Sequence, residues 1–205
     1  SAMTDRRRPL LTGACLVAWC AWQPVTRAAG DDLQEGTGVV VAVVGDICDA
    51  QQECNRTAAV IAAMDPVKLI LAGDNAYEAG TLAQYNANYH PHYGPFKPRT
   101  HPVPGNHEYV TAGASGYFDY FNGVGAFDGP AGPRDKGYYS VDIGDWHVVA
   151  LNSNIARNAG SPQEQWLRAD LAASTKPCTL ASFHHPRFSI GDYAPGDPSV
   201  QALYQ

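Results

Sequence analysis

Two apolar runs, each ending in Gly-Asp, constrain this chain more than any other feature. Gly38 to Val44 leads into Gly45-Asp46, and Val67 to Ala72 leads into Gly73-Asp74. Continuous Val-rich runs of this length mark strands buried on both faces. Asn55 to Met64, between them, reads as a helix. The spacing therefore predicts a β-α-β unit with parallel strands and a right-handed crossover.

Later segments extend the alternation. Thr81 to Tyr89 reads as a helix, and residues 90–105 as a Pro- and His-rich loop with a short strand near Pro102 to Pro104. Gly137 to Ile143 and Trp146 to Asn152 flank Gly144-Asp145 and predict a hairpin. Ser161-Pro162-Gln163-Glu164 opens the clearest helix. Ser161 is its N-cap, Pro162 its first residue and Glu164 the far side of a capping box, with Trp166, Leu167 and Leu171 as the apolar stripe. Cys178 to Phe183 reads as another strand. Asp197-Pro198 opens a last helix that runs to Gln205 without a stop signal, so the chain is expected to be truncated at its C-terminus.

The N-terminus reads as an export signal. Ser1 and Ala2 precede Met3 as a cloning remnant, Arg6 to Arg8 abut the apolar stretch Leu10 to Trp22, and small residues follow at Ala28 and Ala29. Residues 1–29 are thus assigned to scar plus signal and residues 30–205 to one catalytic domain. The product is placed in the periplasm, cell envelope or extracellular space, with no stable membrane insertion once the signal is gone. The formal net charge is −6. Residues 1–28 hold four Arg and one Asp, so the remainder stands at −9. Such a surface repels polyanions and excludes nucleic acid as a partner. Cys15 and Cys20 would leave with the signal. Cys48 and Cys54 are close enough for a disulfide in an oxidising compartment, which leaves Cys178 unpaired.

The chemistry lies at the strand ends. The first two strands end in Asp46 and Asp74, the third leads to Gly105-Asn106-His107-Glu108, and the late strand ends in His184-His185. Ligands gather beyond the carboxyl ends of parallel strands. Carboxylate and amide oxygens with imidazole suit first-row metals. One such Asp alone would read as a turn or a cap, but four such sites in one chain read as a metal centre.

These motifs resemble the calcineurin-like metallophosphoesterases, and among them the purple acid phosphatase-like branch of secreted bacterial type. The matching residues are Gly45-Asp46, Gly73-Asp74-Asn75-Ala76-Tyr77, Gly105-Asn106-His107-Glu108 and His184-His185-Pro186, in the family's order over residues 38–190. The resemblance implies an α/β fold, a four-layer α/β/β/α sandwich of two mixed sheets. It implies metal-dependent hydrolysis of phosphate monoesters, acid phosphatase-like, with a small phosphorylated substrate; phosphodiesters are the alternative substrate. Asp46, Asp74 and Tyr77 would hold metal 1, favouring ferric iron through the Tyr77 phenolate. Asp74, Asn106 and His184 would hold metal 2, as iron, zinc or manganese. Two cations roughly 3.5–4 Å apart need a shared anion, the role that falls to Asp74, and a metal-bound hydroxide would attack phosphorus. His107 would bind phosphate oxygens or protonate the leaving group. Glu108 would orient His107 or brace the loop. Asn106 and His185 complete the substrate contacts.

One family motif, GH-x-H, is missing from these 205 residues, and His185 is the last histidine. Each metal is then one ligand short of the family set. The second expectation is accordingly a non-catalytic fragment or a weak phosphate- or metal-binding module. His90, His92 and His101 read as exposed loop residues rather than as the substrate mouth, and His147 as structural. Tyr117, Phe118, Tyr120 and Phe121 read as core packing.

Overall fold

The computed structural model describes residues 15–20, 39–51, 53–190 and 195–205. The β-α-β unit forms as expected. Strands β2 (Val41–Val44) and β3 (Lys68–Ala72) pair in parallel around helix α1 (Cys54–Met64). Helix α1 buries Cys54, Ala58 and Ile61, a spacing that keeps one face toward the sheet. Strand β4 (Thr100–Val103) pairs in parallel with β3, which gives the order β2-β3-β4.

Residues 82–99 correct the sequence reading. The expected helix is a short α2 (Leu82–Gln84) that continues through a π-turn at Tyr85–Tyr89. The expected loop is instead helical: α3 (His90–Tyr93) and a 3₁₀ turn at Gly94–Arg99. Pro91 and Pro95 each sit in the first turn of their helix, where a missing N–H breaks no hydrogen bond. A Thr81–Gln84 capping box starts the run. The tyrosines of this run pack with α4 (Ser115–Phe121), where Tyr85 stacks on Tyr120 with ring centroids 4.9 Å apart. Tyr117, Phe118, Tyr120 and Phe121 are buried, as core packing requires.

The hairpin forms as β5 (Tyr139–Ile143) and β6 (Trp146–Ala150), antiparallel about Gly144-Asp145. Strand β7 (Cys178–Phe183) lies parallel to β6. A further strand, β1 (Cys15–Cys20), lies antiparallel on the outer edge of β7, inside the segment expected to be a signal. The second sheet therefore runs β1-β7-β6-β5 and is mixed, whereas β2-β3-β4 is parallel throughout. Cys178, expected to be unpaired, is disulfide-bonded, and the ladder sets it opposite Cys20. Cys48 and Cys54 form the expected disulfide.

Helix α5 (Pro162–Ala173) starts on Ser161, whose hydroxyl accepts the Glu164 N–H at 3.3 Å. The Glu164 carboxylate accepts the Gly160 N–H at 2.9 Å, so the reciprocal arm of the cap is displaced by one residue. Leu167 is buried, while Leu171 of the expected stripe is exposed. The last helix is a 3₁₀ segment, Pro198–Tyr204, capped by the Asp197 side chain.

Three apolar clusters separate four layers. Helix α1 and the aromatic run cover one face of β2-β3-β4. Ile70, Ile143 and Val148 join the two sheets, with Val41 and Leu180 beside them. Leu167, Val200 and Leu203 cover the outer face of the mixed sheet at Val149 and Phe183. The result is an α/β/β/α sandwich. The carboxyl ends of β2, β3, β4 and β7 each lead into a residue of one cavity.

Candidate metal centre

The cavity measures about 470 Å³ and is lined by Asp46, Asp74, Tyr77, Asn106, His107, His184 and His185, among others. The loop after β2 is stitched to the loop after β3. Asp46 N–H donates to Gly73 C=O at 3.0 Å, Ile47 N–H to Asp74 C=O at 3.0 Å, and Tyr77 N–H to Cys48 C=O at 2.7 Å. Asp46 and Asp74 both adopt left-handed backbone, with φ of 56° and 51°. Asp tolerates that region better than most residues, and such conformations concentrate at functional sites.

Two glycines are required by close packing. A Cβ on Gly73 would lie 2.7 Å from the His184 ring, and one on Gly105 would lie 2.1 Å from Asp74 Oδ1. The space they leave is filled by the site's own side chains.

Asp74 stands in the middle of the donor set. Its Oδ2 is 3.3 Å from the Tyr77 hydroxyl on one side and 3.4 Å from His184 Nε2 on the other. Tyr77 Oη also lies 3.1 Å from Asp46 Oδ1, and His184 Nε2 lies 3.0 Å from Asn106 Oδ1. Asp46, Asp74 and His184 each offer a ligand atom within 4.8 Å of the other two. His184 Nδ1 donates to Ala72 C=O at 3.0 Å, which fixes the tautomer and aims Nε2 at the carboxylate.

Electrostatics show what such a place favours. Burial alone would lower the His184 pKa, but the hydrogen bond and charge of Asp74, then the charge of Asp46, raise it to about 9. Burial would raise the Asp74 pKa, but His184 and then His107 hold it below the ordinary value. The Tyr77 hydroxyl is raised far above its ordinary value by burial and by the two carboxylates. The carboxylates thus hold protons on His184 and Tyr77, while Asp74 itself stays ionised beside the imidazoles, so the cluster pairs negative carboxylates with positive charge. The donor set, with carboxylates, a phenol, an amide oxygen and an imidazole lone pair, suits first-row metals.

A family model described as calcineurin-like phosphoesterase matches residues 39–205. The chain belongs to that family. Purple acid phosphatase 15 of Arabidopsis thaliana is 33% identical over 91 residues, which are 42% of this chain and 17% of that protein. Purple acid phosphatase PPD1 from yellow lupin (Lupinus luteus) seeds shares the fold, with a TM-score of 0.50 and 18% identity over 65% of this chain and 27% of that one. The chain thus spans about a sixth to just over a quarter of the length of these relatives.

Of the two roles expected for Glu108 in this phosphoesterase domain, the contacts are those of a brace. Glu108 is fully buried and accepts from the N–H groups of Asp74 at 2.9 Å, Asn75 at 2.8 Å and Gly105 at 2.7 Å, and from the Tyr85 hydroxyl at 3.0 Å. Its carboxylate binds the loops after β3 and β4 to each other, and its hydrogen bonds do not include the His107 ring. Burial, then the charge of Asp74, raises its pKa.

His107 N–H donates to Asp74 Oδ1 at 2.9 Å. Its ring Nδ1 is hydrogen-bonded to the Glu78 carbonyl, which can only accept, so Nδ1 carries the hydrogen. Nε2 is left 3.8 Å from Asp74 Oδ2. His185 lines the cavity with Nδ1 2.8 Å from Ser153 Oγ, and burial, then His184, lowers its pKa to about 4.

Five buried or rim residues escaped the sequence reading as parts of the site. Asn152 and Ser153 follow β6, where Asn152 holds Tyr109 and Ser153 holds His185. Asp49, Glu78 and Asp197 line the cavity. No motif marks them; only the meeting of the two sheets brings them together. His90, His92 and His101 do not line the cavity. His90 meets the Tyr120 hydroxyl at 2.8 Å.

Proposed function

We propose that this domain hydrolyses phosphate esters, monoesters before diesters, at a pair of metal ions. The observation that carries the reading is the position of Asp74 Oδ2 between Tyr77 and His184. Asp46, Asp74 and Tyr77 would hold one ion, with iron favoured there, and Asp74, Asn106 and His184 the other, as iron, zinc or manganese. Bound there, the ions supply Lewis acidity toward the phosphate group and toward the attacking water.

The chain's own residues do the rest. Asn106, His107 and His185 line the cavity and face the phosphate oxygens. Water adds to phosphorus, the bond from phosphorus to the alcohol oxygen breaks, and the alcohol leaves with a proton. His107 supplies that proton from Nε2, which requires the imidazolium because Nδ1–H is committed to Glu78 C=O. Glu108 keeps the Asp74 and Asn106 loops in register.

An exported location is supported by the basic, apolar N-terminal sequence and by the Cys48–Cys54 disulfide, which belongs to an oxidising compartment. Among the described residues, no helix is long and apolar enough to cross a membrane. Three protein donors for each ion also favour a second reading, a module that binds phosphate or metal without turnover.

The test is release of inorganic phosphate from p-nitrophenyl phosphate by the protein supplied with iron, zinc or manganese. Release that depends on metal and disappears with a chelator and in Asp74→Ala supports hydrolysis. Phosphate or metal binding without metal-dependent release selects the second reading.

A further inference from the structure

We infer that the cavity selects phosphate esters whose alcohol carries a positive charge, and that Asp49 and Glu78 determine this selectivity. The inference rests on the phosphoesterase reading and adds the substrate's charge.

Among the described residues, no Lys or Arg lines the cavity. Its charged walls are carboxylates and imidazoles. Asp46 and Asp74 belong to the donor set. Asp197 is matched by Arg157, whose Nη2 lies 2.8 Å from it. Two wall carboxylates remain outside these arrangements, Asp49 and Glu78.

Both are held by backbone that the site itself fixes. Asp49 lies in the short loop closed by the Cys48–Cys54 disulfide, and its Oδ1 accepts the Gln51 N–H at 3.0 Å. Glu78 follows Tyr77, and its carbonyl anchors His107 Nδ1. The Glu78 carboxylate stands 4.0 Å from that nitrogen with its side chain 80% exposed. It therefore sits beside the imidazole that faces the leaving alcohol. The phosphate end of a substrate meets imidazoles and the donor set, and the alcohol end meets two carboxylates. An ammonium or guanidinium there gains two partly solvated ion pairs, whereas a second phosphate is repelled. The Tyr77 and His107 rings and Pro186 offer apolar wall to the methylene or methyl groups that carry such a cation.

The test compares two esters that differ only in charge, phosphocholine and its carbon isostere 3,3-dimethylbutyl phosphate. Equilibrium binding and phosphate release are measured on the metal-supplied full chain. The wild-type protein should bind the cationic ester about fivefold to tenfold more tightly, the gain of two exposed ion pairs. Raising the salt to about 1 M should remove most of that preference without any mutation. In the double variant Asp49→Asn/Glu78→Gln the two esters should bind within about twofold of each other.

Equal wild-type affinities, or a preference that survives the double variant, overturn the inference. Equal hydrolysis of both esters leaves the phosphoesterase reading standing and removes the selectivity. Charge-dependent binding without phosphate release does the reverse. If neither ester binds, both fall.

Discussion

The Asp74 backbone N–H donates to Glu108 Oε2 at 2.9 Å, so the residue that centres the donor set is held by a carboxylate from the neighbouring loop. That carboxylate is buried and accepts further N–H groups from Asn75 and Gly105. In Glu108→Gln an amide nitrogen would face N–H donors. The variant should lose about 2–4 kcal/mol of stability, the cost of leaving buried donors unmatched. Urea unfolding of both proteins measures it; a loss below about 0.5 kcal/mol would show that Glu108 does not tie the loops.

His107→Ala should slow esters with high-pKa leaving groups by about 10²–10⁴-fold, and activated aryl phosphates far less, because only the former need a proton in the transition state. Steady-state rates across a leaving-group series check this. An equal loss at both ends of the series would make His107 a phosphate ligand rather than the acid.

Much of the site was legible because each side chain follows a strand whose pattern is strong. Asp46, Asp74 and His184 sit one or two residues past an apolar run. The β-α-β unit, the hairpin and β7 were legible for the same reason. The helical run at 82–99 was not, because Pro91, Pro95 and Pro98 read as breakers, whereas Pro91 and Pro95 fall in the first turn of their short helices and Pro98 lies within a 3₁₀ turn. Nor was the role of Glu108. Its partners Asp74 and Asn75 lie more than thirty residues away, and only packing decides whether a carboxylate beside a histidine faces the cavity or the core. The pairing of β7 with β1 was not legible either, because it joins residues from opposite ends of the chain.

His147 is held on both nitrogens, with Nδ1 2.9 Å from Asp142 and Nε2 2.8 Å from Asp170 of α5. Both contacts need an N–H, so the imidazolium fits best. Burial alone would lower its pKa, but the two carboxylates raise it above the ordinary value of 6.5. A raised folded pKa gives stability that is fully present below the unfolded value and is lost as pH rises through the folded one. The melting advantage of wild type over His147→Gln should therefore be largest below about pH 6.5 and shrink in alkali. An advantage that grows with pH would contradict the doubly held imidazolium.

The Cys48–Cys54 disulfide closes a loop of sequence separation 6. Removing it in Cys48→Ser/Cys54→Ser should cost about 2 kcal/mol, the loop-closure entropy returned to the unfolded chain. Denaturant unfolding without reductant measures this while leaving the Cys178 disulfide intact. No change in stability would mean that the loop is ordered by its backbone bonds to Asn75 and Tyr77 alone.

If Asp74 is shared by two ion sites, the metal content of the chain depends on it. Elemental analysis after equilibrium dialysis with excess metal should find two ions per wild-type chain, one in His184→Ala and none in Asp74→Ala. One ion in the wild-type chain, or an ion retained at full occupancy in Asp74→Ala, would contradict that sharing.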